Sequence, residues 1–331
     1  MSKITYGLLS LLFLAACAKT NLSKHSVETI STTTSAMVKP VGYTYPTDST
    51  FKVLSWNVEH FVDGFDDPYI NNERENNPPQ NMALRTSLLV RALRQANADV
   101  VVLQEFESAK FLNQLAQDSL ASMGYLYFAD VTSHSWYMNV VVMSRFPMGV
   151  IEGYGAVTTA LPGYFNEQGV KETQNQLNSR MWTIKVLPSE NYSFLLTGVH
   201  LKAGRSARDI AMRKGQLALL TERFNEKLQQ NPKANMVLAG DMNATPESEE
   251  IRLMTAGDGL VNRFVDTIDP SVLSHPADRP SRRLDYILMN QNMLSESLDG
   301  GAQVANFFSA DTMRIVSDHL PVVARFVKTD R

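Results

Sequence analysis

Six groups of polar residues fall where apolar segments stop. Residues 51–56 end in Asn57, and 99–104 end in Glu105. Residues 192–199 end in His200, and 235–240 end in Asp241, with Asn243 close behind. Asp285 interrupts the apolar run 284–288, and Asp318 and His319 stand just before 320–327. Carboxylates and imidazoles are expensive to bury unpaired. One shared pocket explains their recurrence at element ends more simply than separate accidents do. Carboxylate and amide oxygens with histidine form a ligand set for a hard divalent cation, and such a cation is suited to work on phosphate. Taken singly, each residue has a structural use that is as good. Asn57 could cap a turn, Glu105 could lie on the surface, and His200 could be a hydrogen-bonded core histidine. Asp241 could be a turn residue before Pro246, and Asp285 could pair with Arg282 or Arg283. The ordered set carries the argument, not any one member.

The elements that must position these residues alternate between strands and helices. Residues 51–58 mix β-branched and aromatic side chains and predict a strand. The stretch 63–80 is rich in Asp, Asn and Pro and predicts a loop. Leu84, Leu88, Leu89 and Leu93 recur at helical spacing within 81–97. Residues 99–103 form a continuous apolar run, consistent with a buried strand. A helix is expected over 107–121, and strands over 138–144, 180–187 and 192–201. A long amphipathic helix follows from Ser206 to about Gln230, with Leu217, Leu220, Phe224 and Leu228 on one stripe. Strands at 235–239, 283–289 and 320–327 close the pattern. No long linker and no repeat divides this stretch. The simplest reading is one α/β domain with two packed sheets and outer helices. A doubly wound sheet is the main competitor, but no G-x-G-x-x-G follows a strand and no G-x-x-x-x-G-K-[ST] occurs.

Composition excludes several classes. Of 331 residues, 44% are hydrophobic and 20% charged, which rules out a mainly disordered or coiled-coil chain. The single Cys excludes an intramolecular disulfide and a Cys-based zinc site. A net charge of −3 argues against holding long nucleic acid by bulk charge.

Residues 1–16 read as a signal peptide: Lys3 is followed by an apolar run too short to span a bilayer. Leu14-Ala15-Ala16-Cys17 resembles the lipobox of bacterial lipoproteins, and the only Cys falls at its end. Cleavage would leave an acylated Cys17 as a membrane anchor. Residues 17–50, Ser/Thr-rich beyond Cys17, are expected to be a flexible tether, with the folded domain spanning 51–331. By the usual sorting pattern, Ala18 after the Cys points to the outer membrane, so an exported, envelope-anchored monomer is expected.

Taken in order, Ser55-Trp56-Asn57, Leu103-Gln104-Glu105, Gly198-Val199-His200-Leu201, Gly240-Asp241-Met242-Asn243, Arg283-Leu284-Asp285-Tyr286 and Ser317-Asp318-His319 resemble the endonuclease/exonuclease/phosphatase superfamily. That superfamily includes DNase I-like nucleases, abasic-site endonucleases, inositol-polyphosphate 5-phosphatases and bacterial sphingomyelinases. The resemblance implies a four-layer α/β sandwich with two central mixed β-sheets flanked by helices. It implies metal ligation by Glu105, Asn57 and Asp318, with Mg²⁺ as the expected ion and Mn²⁺ or Ca²⁺ as substitutes. It implies that Asp241 and Asn243 position the attacking water and phosphate, that Asp285 orients His319, and that His200 protonates the leaving oxygen. Arg180, before a strand, would brace the site. Asn139, before a short strand ending in a Ser-Arg-Phe-Pro turn, would contact substrate. The Tyr that some abasic endonucleases use is not placed, which counts against abasic-site repair.

The substrate is less legible. Lys202, Arg205, Arg208, Arg213 and Lys214 follow His200, and Arg279, Arg282 and Arg283 precede Asp285. Both clusters could hold phosphates or could be solvated faces; Lys202 and Arg205 are the expected substrate contacts. The loop with Asp63, Asp66, Asp67, Glu73 and Glu75 would repel DNA or bind another cation. A nuclease acting on a phosphodiester, DNA first, leads. A lipid or small-molecule phosphatase or phospholipase C-like enzyme comes second, and a non-catalytic binding lipoprotein third. His25, His60, His134 and His275 receive no role. The S-x-x-K match at Ser49–Lys52 has no S-D-N or K-T-G with it and is read as chance.

Overall fold

The structure, a computed structural model, describes residues 42–131, 136–256 and 259–331. The signal peptide, Cys17, His25 and His134 lie outside the described residues. The strands are β1 Thr50–Phe61, β2 Val100–Phe106, β3 Tyr127–Ala129, β4 Asn139–Ser144, β5 Glu152–Gly153, β6 Thr159–Phe165 and β7 Lys171–Gln174. They continue as β8 Met181–Ser189, β9 Tyr192–His200, β10 Met236–Asp241, β11 Phe264–Val265, β12 Asp285–Asn290, β13 Gln303–Val304 and β14 Val322–Val327. The helices are α1 Glu73–Asn76, α2 Met82–Ala96, α3 Ala109–Ser119, α4 Ala207–Gln230, α5 Glu249–Thr255, α6 Gln291–Leu294 and α7 Ala310–Val316.

Two mixed sheets run in the orders β13-β14-β1-β2-β4-β3 and β11-β12-β10-β9-β8-β5. In each, a central pair is parallel (β1 with β2, β9 with β10) and its flanking strands are antiparallel. Strand alternation gives every central strand two apolar faces. Phe51, Val53, Val100 and Val102 meet Leu196, Val237, Ala239 and Ile287 between the sheets. The other faces are covered by helices: α2, α3 and α7 lie over Leu54, Trp56, Val101 and Leu103, and α4 and α5 lie over Val199, Leu238 and Leu288. The result is the expected four-layer sandwich. Burying both faces is why these strands read as continuous apolar runs.

Helix α4 starts at a capping box, in which Ser206 and Asp209 satisfy each other's backbone N–H. Its stripe Leu217, Leu220, Phe224 and Leu228 is buried as the spacing predicts. The hairpin of β6 and β7 lies across this helix. A Cβ at Gly215 would stand 2.1 Å from the Ala160 carbonyl oxygen, so only glycine lets them approach. That hairpin was not expected, because its strands are mostly exposed and carry no period-2 apolar face.

The expected tether boundary is too late. Tyr43 Oη donates to the Arg145 carbonyl at 2.9 Å, Lys328 Nζ donates to the Pro46 carbonyl at 3.1 Å, and the Lys328 N–H donates to the Ser49 carbonyl at 2.9 Å. The polar composition of this segment hid its role as a strap across the end of the sheet.

Candidate active site

Alternation also fixes where the polar groups point. In β10, Val237 and Ala239 face the other sheet, so Asp241 does too. Its ladder neighbours are His200 on one side and Asp285 on the other. Gly240 makes this ladder possible: it sits at φ 150°, and a Cβ there would lie 1.8 Å from the Val199 carbonyl oxygen. Asn243, in the left-handed region at φ 50°, then turns back on the strand end. Its N–H donates to Asp241 Oδ1 at 2.8 Å and its Nδ2 to the Leu201 carbonyl at 3.1 Å.

Glu105 reaches the site by breaking alternation. Leu103 and Phe106 both face the helix layer, with Gln104 between the sheets. A bulge after Gln104 and a φ of 58° at Glu105 swing its carboxylate inward. A matching bulge follows Asn57 in β1, with Glu59 and His60 both at φ 49°. It aims the His60 N–H at Glu105 Oε2, 3.1 Å away. Asn57 Nδ2 donates to Glu105 Oε1 at 3.1 Å and to Asp241 Oδ2 at 3.0 Å, while its Oδ1 accepts from the Glu59 N–H. Asn57 therefore bridges the two carboxylates through its amide nitrogen.

Asp285 holds His319. Nδ1 of His319 lies 2.9 Å from Asp285 Oδ2, and that oxygen also accepts from Ser274 Oγ at 2.6 Å. His319 Nε2 faces Asp241 Oδ2 and Asp318 Oδ1, each at 3.8 Å. Burial alone would lower His319; Asp285 and then Asp241 reverse this and raise it to about 10. Burial pushes Asp241 up; the His319 charge opposes that, and Asp285 reinforces it. His200 Nε2 stands 3.7 Å from both Glu105 and Asp241, and burial pushes it well below the ordinary imidazole range against the pull of Glu105. Burial works to raise Glu105 as well, but His200, His60 and the Asn57 amide outweigh it and hold it low. Arg180 Nη1 approaches the His200 carbonyl at 3.5 Å, and its guanidinium faces Glu105 and Asp241.

Asp318 lies at the rim. Its Oδ2 is 3.3 Å from His275 Nε2, and its N–H donates to Glu59 Oε2 at 3.1 Å. Arg282 Nε donates to His275 Nδ1 at 3.2 Å, and the His275 ring meets the His319 ring edge-on at 4.6 Å. His275, given no role from sequence, thus belongs to the site, as does His60. His60 Nε2 lies 3.6 Å from Glu105 Oε2, and its Nδ1 pairs with Tyr137 Oη at 2.7 Å. Both were missed because neither ends a strand. The pairing of His275 with Arg282 is an isolated bridge outside any named strand and leaves no periodic trace.

The donor set fits a divalent cation. Glu105, Asp241, Asp285 and Asp318 converge with no Lys or Arg in ion-pair contact among the described residues, and Glu105 and Asp318 keep solvent access. Two tight groups could ligate an ion among the described residues, His275–Asp318–His319 and Asp241–Asp285–His319.

Three expected substrate contacts do not join this cluster. Asn139 is turned to the Glu107 carbonyl. Lys202 Nζ pairs with Asp209 at 3.0 Å. Arg205 is exposed and lines a neighbouring cleft of about 520 Å³ with Asn243 and Arg282. Of the other basic residues, Arg208 pairs with Glu172, Lys214 with Glu249, buried Arg213 with buried Glu250, and fully buried Arg283 with Asp266. Their counter-ions lie elsewhere in the chain, which is why the clusters looked free.

A family model described as the Endonuclease/Exonuclease/phosphatase family matches residues 54–319. The chain belongs to that family, whose members are in general phosphoester hydrolases and usually use divalent metals. Among solved structures it is similar to an endonuclease/exonuclease/phosphatase from Beutenbergia cavernae, at 21% identity and a TM-score of 0.53, covering 85% of this chain and 72% of that one. It is similar to the human Nocturnin catalytic domain, at 18% identity and a TM-score of 0.53, covering 85% and 95%. It is also similar to D. rerio TDP2 complexed with a single-strand DNA product, at 19% identity and a TM-score of 0.54, covering 84% and 99%. At these identities the likeness speaks to the fold. No curated protein sequence matches the chain significantly.

Proposed function

We propose that this chain is a divalent-metal-dependent phosphodiesterase that cleaves a P–O bond with an activated water. The carrying observation is the convergence of Glu105, Asn57, His200 and Asp241 with the Asp285–His319 pair at the ends of two sheets. Glu105 and Asp318 would hold the ion, Mg²⁺ by preference, which when bound withdraws charge from the phosphate oxygens. Asp241, raised by burial, accepts the proton of the attacking water, and the Asn243 N–H and Asn57 amide keep its carboxylate aimed. His319, kept cationic by Asp285, presents Nε2 to the developing phosphoryl charge. His200, pushed by burial toward its neutral form, is little populated as the imidazolium that would protonate the leaving oxygen.

A DNA strand is the leading substrate, supported by the TDP2 neighbour solved with a single-strand DNA product. One observation favours a small or lipid phosphodiester instead: most basic residues near the site are already paired within the fold. The test is hydrolysis of single-strand DNA, plasmid DNA, sphingomyelin and a chromogenic phosphodiester, each with Mg²⁺ and with EDTA. EDTA-sensitive turnover lost in Glu105→Gln supports the proposal. Failure on every substrate with Mg²⁺ leaves a binding role in its place. The same proposal attaches the enzyme to the bacterial outer membrane through an acylated Cys17. Labelled palmitate incorporated by the native chain but not by Cys17→Ala tests that part.

A further inference from the structure

The loop after β1 carries an acidic group outside the catalytic cluster. Four carboxylates are involved, and each has one oxygen already oriented by structure. Asp63 Oδ1 accepts from the Phe65 N–H at 2.6 Å, and Asp67 Oδ1 from the Tyr69 N–H at 2.9 Å. Glu75 Oε1 accepts from the Asp67 N–H at 2.7 Å, and Glu107 Oε2 from the Asp63 N–H at 2.6 Å. The second oxygen of each has no hydrogen-bond partner among the described residues, and none of the four is in an ion pair there.

Glu75 makes this more than a solvated acidic loop. Its side chain is 1% exposed, and its Oε2 is buried without a partner. The charges it faces are Asp66, Asp67 and Asp63, all of its own sign. A buried carboxylate with no donor on one oxygen and only carboxylate neighbours is costly to keep ionised unless a cation completes it. A second buried acceptor, Asn139 Oδ1, also has no partner. A cleft of about 1090 Å³, lined by Asp63, Asp67, Glu107 and Asn139, gives an ion a way in.

We propose that Asp63, Asp67, Glu75 and Glu107 form a divalent-cation site separate from the catalytic one and suited to Ca²⁺. All the donors are hard oxygens, which excludes a thiolate- or imidazole-seeking metal. Four carboxylates on an irregular loop match the large, flexible coordination of Ca²⁺ better than the rigid octahedron of Mg²⁺. The tight ligand groups among the described residues are both at the catalytic cluster, so these loop oxygens stand further apart than an ion would hold them. Binding therefore draws the loop inward and orders it. Phe65 and Tyr69, exposed at 81% and 83%, ride on that loop and move with it.

The test uses the full chain carrying Glu105→Gln, so that the catalytic ion is weakened, titrated with CaCl₂ and with MgCl₂ by calorimetry. One Ca²⁺ per chain should bind, at least ten times more tightly than Mg²⁺. Ca²⁺ should raise Tm and slow amide exchange over 63–75. Adding Asp67→Asn, or Glu75→Gln, should abolish the Ca²⁺ response. In EDTA, Glu75→Gln should be at least as stable as its parent, because a buried unpaired charge is gone. If one variant fails to fold, the other decides. A Ca²⁺ response that survives both substitutions, or none at all in the Glu105→Gln chain, overturns the site.

Discussion

The side chain of Asn57, on one sheet, donates to Asp241, on the other, at 3.0 Å. The same nitrogen reaches Glu105 on its own sheet at 3.1 Å. One amide thus ties Glu105, the proposed metal-side carboxylate, to Asp241, the proposed water-side carboxylate. It also joins the two halves of the sandwich at the proposed catalytic centre. Removing it leaves two buried acids without that donor. Asn57→Ala should lower kcat by about 100-fold, the loss typical of one preorganised donor. It should also cost about 1–3 kcal/mol of stability through the unsatisfied groups. Steady-state kinetics with thermal unfolding checks both, and unchanged turnover would show that the bridge is structural only.

His319 owes its charge to Asp285. Its raised value, about 10, keeps the imidazolium through neutral pH, and activity that needs it declines only as pH climbs through that value. In Asp285→Asn the chief opposing influence is gone and burial pulls the imidazole down. The alkaline limb of the pH–rate profile should therefore move to below about pH 7, with kcat falling at least about 100-fold at pH 8. The stability linkage has the same sign. The contribution of His319 is complete below its ordinary value of 6.5 and is lost as pH rises through about 10. A variant with the parent's alkaline limb would remove Asp285 from this role.

Much of this centre was legible because strand alternation is regular. Asn57, His200, Asp241 and Asp285 each continue a run of residues facing the opposite sheet, so apolar period and polar ending together locate them. The direction of Glu105 was not legible, since a bulge and a left-handed residue override the parity of β2. His60 lies past the bulge that breaks the alternation of β1, and His275 lies outside any strand. The Arg213–Glu250 and Lys214–Glu249 pairs form only when α4 and α5 pack together, so sequence left these cations looking available to substrate.

Arg213 illustrates the difference. It is buried, donates to Glu250 at 2.7 Å, and holds the Lys202 and Gly204 carbonyls at 2.9 and 2.7 Å. Arg213→Met leaves Glu250 buried and unpaired and should cost about 3–5 kcal/mol. Adding Glu250→Leu should recover much of that. A phosphate-binding arginine would show the reverse pattern, a raised KM at nearly unchanged stability, so denaturant melts beside kinetics separate the two roles.

At the far end of the second sheet, Glu296 is buried against Tyr192 and accepts from Asn235 Nδ2 at 2.8 Å. Burial pushes it up to about 7; Tyr192 and Asn235 oppose this, and Asp330 reinforces it. An acid raised in the folded state binds more protons there than when unfolded. Stability therefore falls as pH rises from about 4.5 to about 7. Glu296→Gln keeps the shape and one acceptor oxygen and removes the titration. It should be more stable than the parent at pH 8 by on the order of 2–3 kcal/mol, with the difference gone at pH 4. A gap that does not change with pH would show that Glu296 does not titrate in this window.

Arg205 is the one expected phosphate contact that remains exposed beside the site, in the cleft shared with Asn243 and Arg282. If the substrate is a strand of DNA, Arg205 grips a phosphate away from the bond being cut. Such a contact strengthens ground state and transition state alike, so Arg205→Ala should raise KM about 10-fold and leave kcat alone. It should also make the dependence of log KM on log salt shallower by about one phosphate contact. A small or lipid phosphodiester has no second phosphate for Arg205 to hold, and the same variant should then leave both KM and the salt slope unchanged. Measuring that slope on a single-strand oligonucleotide and on a chromogenic phosphodiester separates the two substrate classes through one side chain.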